Sequence, residues 1–166
     1  MRTPPPRSRG HGRRNAVHWC RDLLCEEDVI DLVGQWQAPV TEVLAELSRP
    51  YGTSPITCDG PFVVNFGDDM QFSTGFDVRC DNMGMTARGL AELTGTYEVG
   101  DGTFTVLGAT GSGGMEIAGT AVPLPIIDGY RQGLSGAVPY TIADDQLHYS
   151  FAAPDGNTFR FTLVRV

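Results

Sequence analysis

Cys58 and Cys80 end the stretch CDGPFVVNFGDDMQFSTGFDVRC. Two thiols so placed can bridge, share a metal, or sit reduced in a core. A turn over Asp68, Asp69 and Met70 makes opposed residues sum to 138, so that Phe66 faces Phe72, Val64 faces Thr74, Phe62 faces Phe76 and Cys58 faces Cys80. All of these share one face, because strand side chains alternate with period two. Opposed Cβ atoms on paired strands lie near disulfide spacing. The register that sets aromatic against aromatic therefore sets thiol against thiol, and a disulfide is expected, worth roughly 2–4 kcal/mol. Two reduced core cysteines are the alternative. Zinc is not expected, because no further Cys or His stands near to complete four ligands. The other pair, Cys20 and Cys25, lies with His18 in HWCRDLLC. Its spacing matches no zinc pattern.

Nucleophilic and phosphate chemistry find little support. GLSGA (133–137) is one residue short of a nucleophile elbow and lacks the strand–turn–helix setting that gives that motif meaning. GATGSGGM (108–115) shares only its glycines with a phosphate loop, having no Lys-Ser/Thr after it. His148 falls on the wet face of a strand, and Asp68-Asp69 and Asp144-Asp145 read as hairpin turns before they read as paired carboxylates. No catalytic residue, metal site or cofactor is expected. An enzyme on a barrel scaffold would need polar groups such as Asp77, Arg79 or Arg88 turned inward.

The 166 residues suffice for one domain with a core. With 21 Gly, 11 Pro and only 19% charged residues, the chain has the profile of a turn-rich β protein. Residues 1–14 carry five Arg and no acid, while the rest carries seven Arg against all 20 acids, a balance of −13. An acidic body is a poor partner for nucleic acid or anionic lipid. No apolar run reaches the ~18 residues that cross a bilayer. MRTPPPRSRGHGRR, with nothing apolar, is expected to be a disordered basic tail, and residues 1–28 a loose N-terminal segment before a domain over 29–166. No apolar stretch follows Arg13-Arg14, as a twin-arginine export signal would need. The cysteine pair points to a secreted or envelope protein, and the missing signal leaves the cytoplasm open.

The elements follow from periodicity. DLVGQWQ (31–37) reads as a first strand. APVTEVLAELSR (38–49) reads as a helix, with Val40, Val43, Leu44 and Leu47 on one stripe and Pro50 to stop it. From residue 58 on, strand and turn are expected to the end. A turn at Asp101-Gly102 sets Tyr97 against Val106 and Val99 against Phe104. One at Asp144-Asp145 sets Ile142 against Leu147, Tyr140 against Tyr149 and Val138 against Phe151. One near Pro154-Asp155-Gly156 sets Phe151 against Phe159, Tyr149 against Phe161 and Leu147 against Leu163. Each strand has a wet and a dry face, as in up-and-down antiparallel sheets. Closing eight to ten such strands into a barrel removes the exposed edges; a sandwich is the alternative.

Two features suit a ligand. On one face of MTARGLAELTGTYEV the residues Ala87, Gly89 and Ala91 are small and would leave room inside a barrel, unless the barrel tapers there and Phe and Tyr from opposite strands fill it. In AVPLPIIDGYRQGLSG (121–136), Leu124, Ile126, Ile127 and Tyr130 are apolar residues in a Pro- and Gly-punctuated connection. They would cap a barrel mouth or cover a sheet edge.

LVGQW resembles the G-x-W of lipocalins and related calycin barrels, carried here by Gly34 and Trp36. GTYEVGDGTFTV and the chain end resemble lipocalin-like repeats of small secreted or lipid-anchored bacterial proteins. The resemblance implies that Trp36 closes one end of the core with Arg165 packed over it, and that a small apolar molecule occupies the barrel. The expectation is thus a non-enzymatic binding protein. A filled-core structural or interaction module of the cell envelope competes with it, and an enzyme is the remotest reading.

Overall fold

The computed structural model describes residues 31–52, 57–82 and 84–166. The expected N-terminal tail, His18, Cys20 and Cys25 lie outside them. Among the described residues, ten strands and two α-helices follow in the order β1 (Gly34–Pro39), α1 (Val40–Ser48, continued by a 3-10 turn over Arg49–Tyr51), β2 (Thr57–Asp59), β3 (Pro61–Phe66), β4 (Gln71–Asn82), β5 (Met85–Gly100), β6 (Thr103–Ile117), β7 (Thr120–Pro123), α2 (Pro125–Leu134), β8 (Val138–Ala143), β9 (Gln146–Ala152) and β10 (Thr158–Arg165). Eight of them close an antiparallel barrel in the order β4-β3-β1-β10-β9-β8-β6-β5, with β5 returning to β4. The two short strands β2 and β7 add to β4 and β6.

The hairpin registers follow the sequence pattern. Phe66 pairs with Phe72 and Val64 with Thr74, and Cys58 pairs with Cys80 in the same frame. Tyr97–Val106 and Val99–Phe104 are rungs of β5–β6, Tyr140–Tyr149 and Ile142–Leu147 of β8–β9, and Tyr149–Phe161 of β9–β10. Asp144 and Asp145 both take positive φ, as the tight turn of a right-twisted hairpin requires. Two rungs implied by these registers are absent from the ladders. The β3–β4 ladder stops short of Phe62 and Phe76, beside the break at Gly60, whose carbonyl accepts Val40 N–H at 3.0 Å. The β8–β9 ladder stops short of Val138 and Phe151, where the last turn of α2 sits on Phe151.

The structure corrects two expectations. The first strand begins at Gly34, not 31, because residues 31 and 32 are helical. The Trp36 indole N–H reaches back to Leu32 O at 2.9 Å and holds that turn under the barrel. Residues 125–134 are a helix rather than an irregular connection. Pro125 stands at its first turn, where a missing N–H costs nothing.

One position in the barrel wall is shared by β7, α2 and β8 in series. β7 pairs with β6 at residues 114–117, and β8 pairs with it only at Thr103 and Phe104. Between these points α2, not a strand, packs against β6. A comparable gap follows the two rungs that join β1 to β10. There α1 lies alongside, its Val40, Val43, Leu44 and Leu47 buried as the stripe requires. Its polar side chains also complete the open edge: Glu46 accepts Arg160 N–H at 3.0 Å and Arg49 donates to Thr158 O at 2.7 Å.

Candidate functional site

The barrel end opposite the helices is closed by Trp36, fully buried, with the Arg165 guanidinium 4.1 Å from its ring centroid. Arg165 also donates to Val33 O at 3.0 Å and to Asp31 O at 2.7 Å. Gly34 sits at φ +137°, and a Cβ there would meet Arg165 Nη1 at 3.1 Å. Glycine is therefore required both by the backbone and by the guanidinium beside it.

The small residues of β5 do face inward. Ala87 and Ala91 are buried, and Gly89 with them. The space before them is taken. A Cβ on Gly89 would come within 2.9 Å of Cys80 Sγ and 3.3 Å of Phe76 Cε2. On β6, a Cβ on Gly113 would meet Ile127 Cγ1 at 2.6 Å. The side chains that fill this region thus come from the disulfide hairpin and from α2.

Helix α2 turns Ile127, Tyr130 and Leu134 into the barrel, all buried, with Leu124 half-buried just before it; Ile126 belongs to the same helix. Gly133 lets the helix lie on the Phe151 ring, since a Cβ there would fall 2.0 Å from Cδ2. Three rings surround Tyr130. Its ring centroid is 5.8 Å from Phe62, 5.5 Å from Phe151 and 5.6 Å from Phe161, each edge to face. Such contacts stabilise beyond the area buried.

The Tyr130 hydroxyl meets the Tyr149 hydroxyl at 2.7 Å, both fully buried. Two tyrosyl protons share one such bond, so one proton needs another acceptor. The Thr74 hydroxyl, which donates to Val63 O at 2.9 Å, is the neighbouring polar group that also acts on the Tyr130 hydroxyl. Burial pushes the Tyr130 hydroxyl pKa far up, offset in part by its interactions with Tyr149 and Thr74. Burial likewise pushes Tyr149 well above 10.0, with Tyr130 adding to it. Both are therefore neutral hydrogen-bonding groups at physiological pH.

The remaining candidates are on the outside. Asp77 and Arg88 pair with each other on the exposed face, and the Arg88 hydrogen bond holds the Asp77 carboxyl below its ordinary value. Arg79 is exposed too. His148 Nδ1 lies 2.9 Å from Thr162 Oγ1 across the outer face of β9–β10. GATGSGGM is part of strand β6 rather than a loop. GLSGA spans the end of α2 and the link to β8. Among the described residues no three His, Cys, Asp or Glu gather as a metal site would need, and no helix is long and apolar enough to cross a membrane.

The inward aim of Tyr130 and its bond to Tyr149 were not readable from spacing. One signal was present: Ile127, Tyr130 and Leu134 recur at helical intervals behind Pro125. No protein-family model matches this chain, and no curated protein matches it.

Proposed function

We propose that the protein is a non-enzymatic, lipocalin-like binding protein that carries a small apolar ligand in its barrel, entering at the wall position held by α2. The observation that carries this reading is the replacement of wall strand by helix. A strand is fixed by backbone bonds on both sides, and its removal opens the whole sheet. Helix α2 is held by buried side chains and one tyrosine hydroxyl, and swinging it out exposes a site beside Ala91 and Gly113, lined by the phenylalanines about Tyr130, without unpairing the wall on either side, while Ala87 and Gly89 stay behind Phe76 and the disulfide. Mobile lids over binding sites are drawn from such weakly anchored elements. The Cys58–Cys80 pair stands at disulfide distance and is compatible with an oxidising, extracellular location; export belongs to the same proposal.

Native mass spectrometry of the full, unreduced chain tests it. The expected result is extra mass that leaves on denaturation, together with an intact mass two hydrogens lighter per bridge. A bare protein that takes up no apolar compound on addition would overturn the reading.

A second reading, an interaction module with a permanently filled core, is favoured by one observation. The rings of Phe66, Phe104, Tyr149, Phe161, Phe151 and Tyr130 run in unbroken contact through the interior. It predicts that α2 never leaves the wall short of unfolding.

A further inference from the structure

We infer that Tyr130 is an internal stand-in for the ligand, and that the molecule which displaces it is a phenol-type compound: an aromatic ring carrying a hydroxyl. The inference rests on the carrier reading above and sharpens it to a chemical class.

With α2 moved out, the site it leaves makes two demands on any occupant, one of shape and one of polarity. Phe62, Phe151 and Phe161 present three walls about one ring position, two of them perpendicular to the ring they hold. Ring edges and faces so arranged favour an aromatic occupant over a saturated one of equal size. At the closed end of that position stand the Tyr149 hydroxyl and the Thr74 hydroxyl. With Tyr130 withdrawn, Tyr149 loses its 2.7 Å partner in a site away from water. A buried polar group without a partner is penalised more than a made bond is rewarded. An occupant without a hydroxyl leaves that penalty standing; one with a hydroxyl at the end of a flat ring removes it. Sites built to bond a hydroxyl reject the analogue that lacks it far more strongly than apolar pockets separate their ligands by size. The side chain that fills the site at rest has this shape and this polar end.

The experiment is isothermal titration of the full, disulfide-intact chain with three probes of one size: 4-ethylphenol, ethylbenzene and 4-ethylcyclohexanol. The expected result is binding of the phenol at least about tenfold tighter than either analogue. Tyr149→Phe should erase the preference over ethylbenzene by raising ethylbenzene affinity toward that of the phenol, since no unpaired hydroxyl is then left in the site. Tyr130→Phe, which keeps the ring but gives Tyr149 no partner, should dock α2 less firmly and raise phenol affinity several-fold. Amides of α2 should lose hydrogen-exchange protection as the phenol binds. Equal affinity for all three probes would overturn the phenol inference and leave an apolar carrier standing. No binding of any probe, beside a different ligand seen in native mass spectrometry, would also overturn the inference alone. No binding and no captured ligand would sink both.

Discussion

Residue by residue, the interior places its polar groups sparingly, and among the described residues each buried polar side chain has a partner. The Tyr130–Tyr149 pair makes a prediction of its own. Both hydroxyls have pKa values raised above 10.0 by burial. Below pH 10 the folded and unfolded chains hold the same tyrosyl protons, and the contribution to stability is constant. As pH climbs above 10 the unfolded chain gives its protons up while the folded chain keeps them, so stability falls. The expected slope is up to about 1.4 kcal/mol per tyrosine per pH unit. Urea titrations between pH 9 and 11 check this, and Tyr130→Phe should reduce the slope by about one tyrosine's share. At the other end, Arg165→Ala would uncover Trp36 and leave the Val33 and Asp31 carbonyls without their donor. A loss of about 1–3 kcal/mol is expected, and Arg165→Lys should restore little of it, because a point ammonium cannot span two carbonyls and a ring face together. Urea unfolding of the three proteins reads this out.

Among the elements, the contrast between the two helices carries the account. Helix α1 is tied into the sheet by its own polar side chains: Glu46 and Arg49 complete the β10 edge, and the Thr41 hydroxyl bonds both the N–H and the C=O of Cys58. Helix α2 is held by an apolar face. Gly133→Ala probes that hold. Alanine raises intrinsic helix stability by about 1 kcal/mol, yet its Cβ would fall 2.0 Å from Phe151 Cδ2. Packing wins at such a distance, so the variant should be less stable overall, and its α2 amides should exchange faster than those of the strands. Slower exchange throughout would show that the helix is not seated on Phe151. The hairpins were legible in the sequence because alternation and turn residues are local signals, and a one-residue slip would misplace Phe66, Phe72 and both cysteines at once. Helix α2 was not, because Pro125, Gly129 and Gly133 read as loop. Gly133 is there for its contact with Phe151, a tertiary requirement that no local rule contains. The meeting of Tyr130 with Tyr149 was illegible for the same reason: register placed Tyr149 beside Tyr140 and Phe161, and only the docked helix brings Tyr130 to it.

Over the whole molecule, the disulfide and the two helices decide what can move. The bridge joins β2 to β4 across 22 residues of chain and lies against the small wall at Gly89. Replacing both cysteines by serine should cost roughly 2–4 kcal/mol in urea unfolding, with the barrel still closed, since β3–β4 and β4–β5 pair without it. The closure itself lay half in the sequence. Wet and dry faces implied a closed sheet, whereas the joining of first strand to last, Trp36 opposite Arg165, came only through the lipocalin resemblance. The small residues Ala87, Gly89 and Ala91 left open in the sequence whether the interior beside them is roomy or filled from opposite strands. It is occupied at rest by Phe76, the disulfide and α2, so binding as proposed here is an exchange of one filling for another.

The most direct test of that exchange is to lock the helix. A Cβ built on Gly113 stands 3.2 Å from Ile127 Cβ, close to bridging distance. Gly113→Cys with Ile127→Cys would staple α2 to β6. Binding of an apolar fluorophore such as N-phenyl-1-naphthylamine is then measured in the native chain and in the stapled chain, with the new bridge mapped. If the exchange occurs, the native chain binds the fluorophore and the stapled chain does not. Equal binding by both, or none by either, would contradict it.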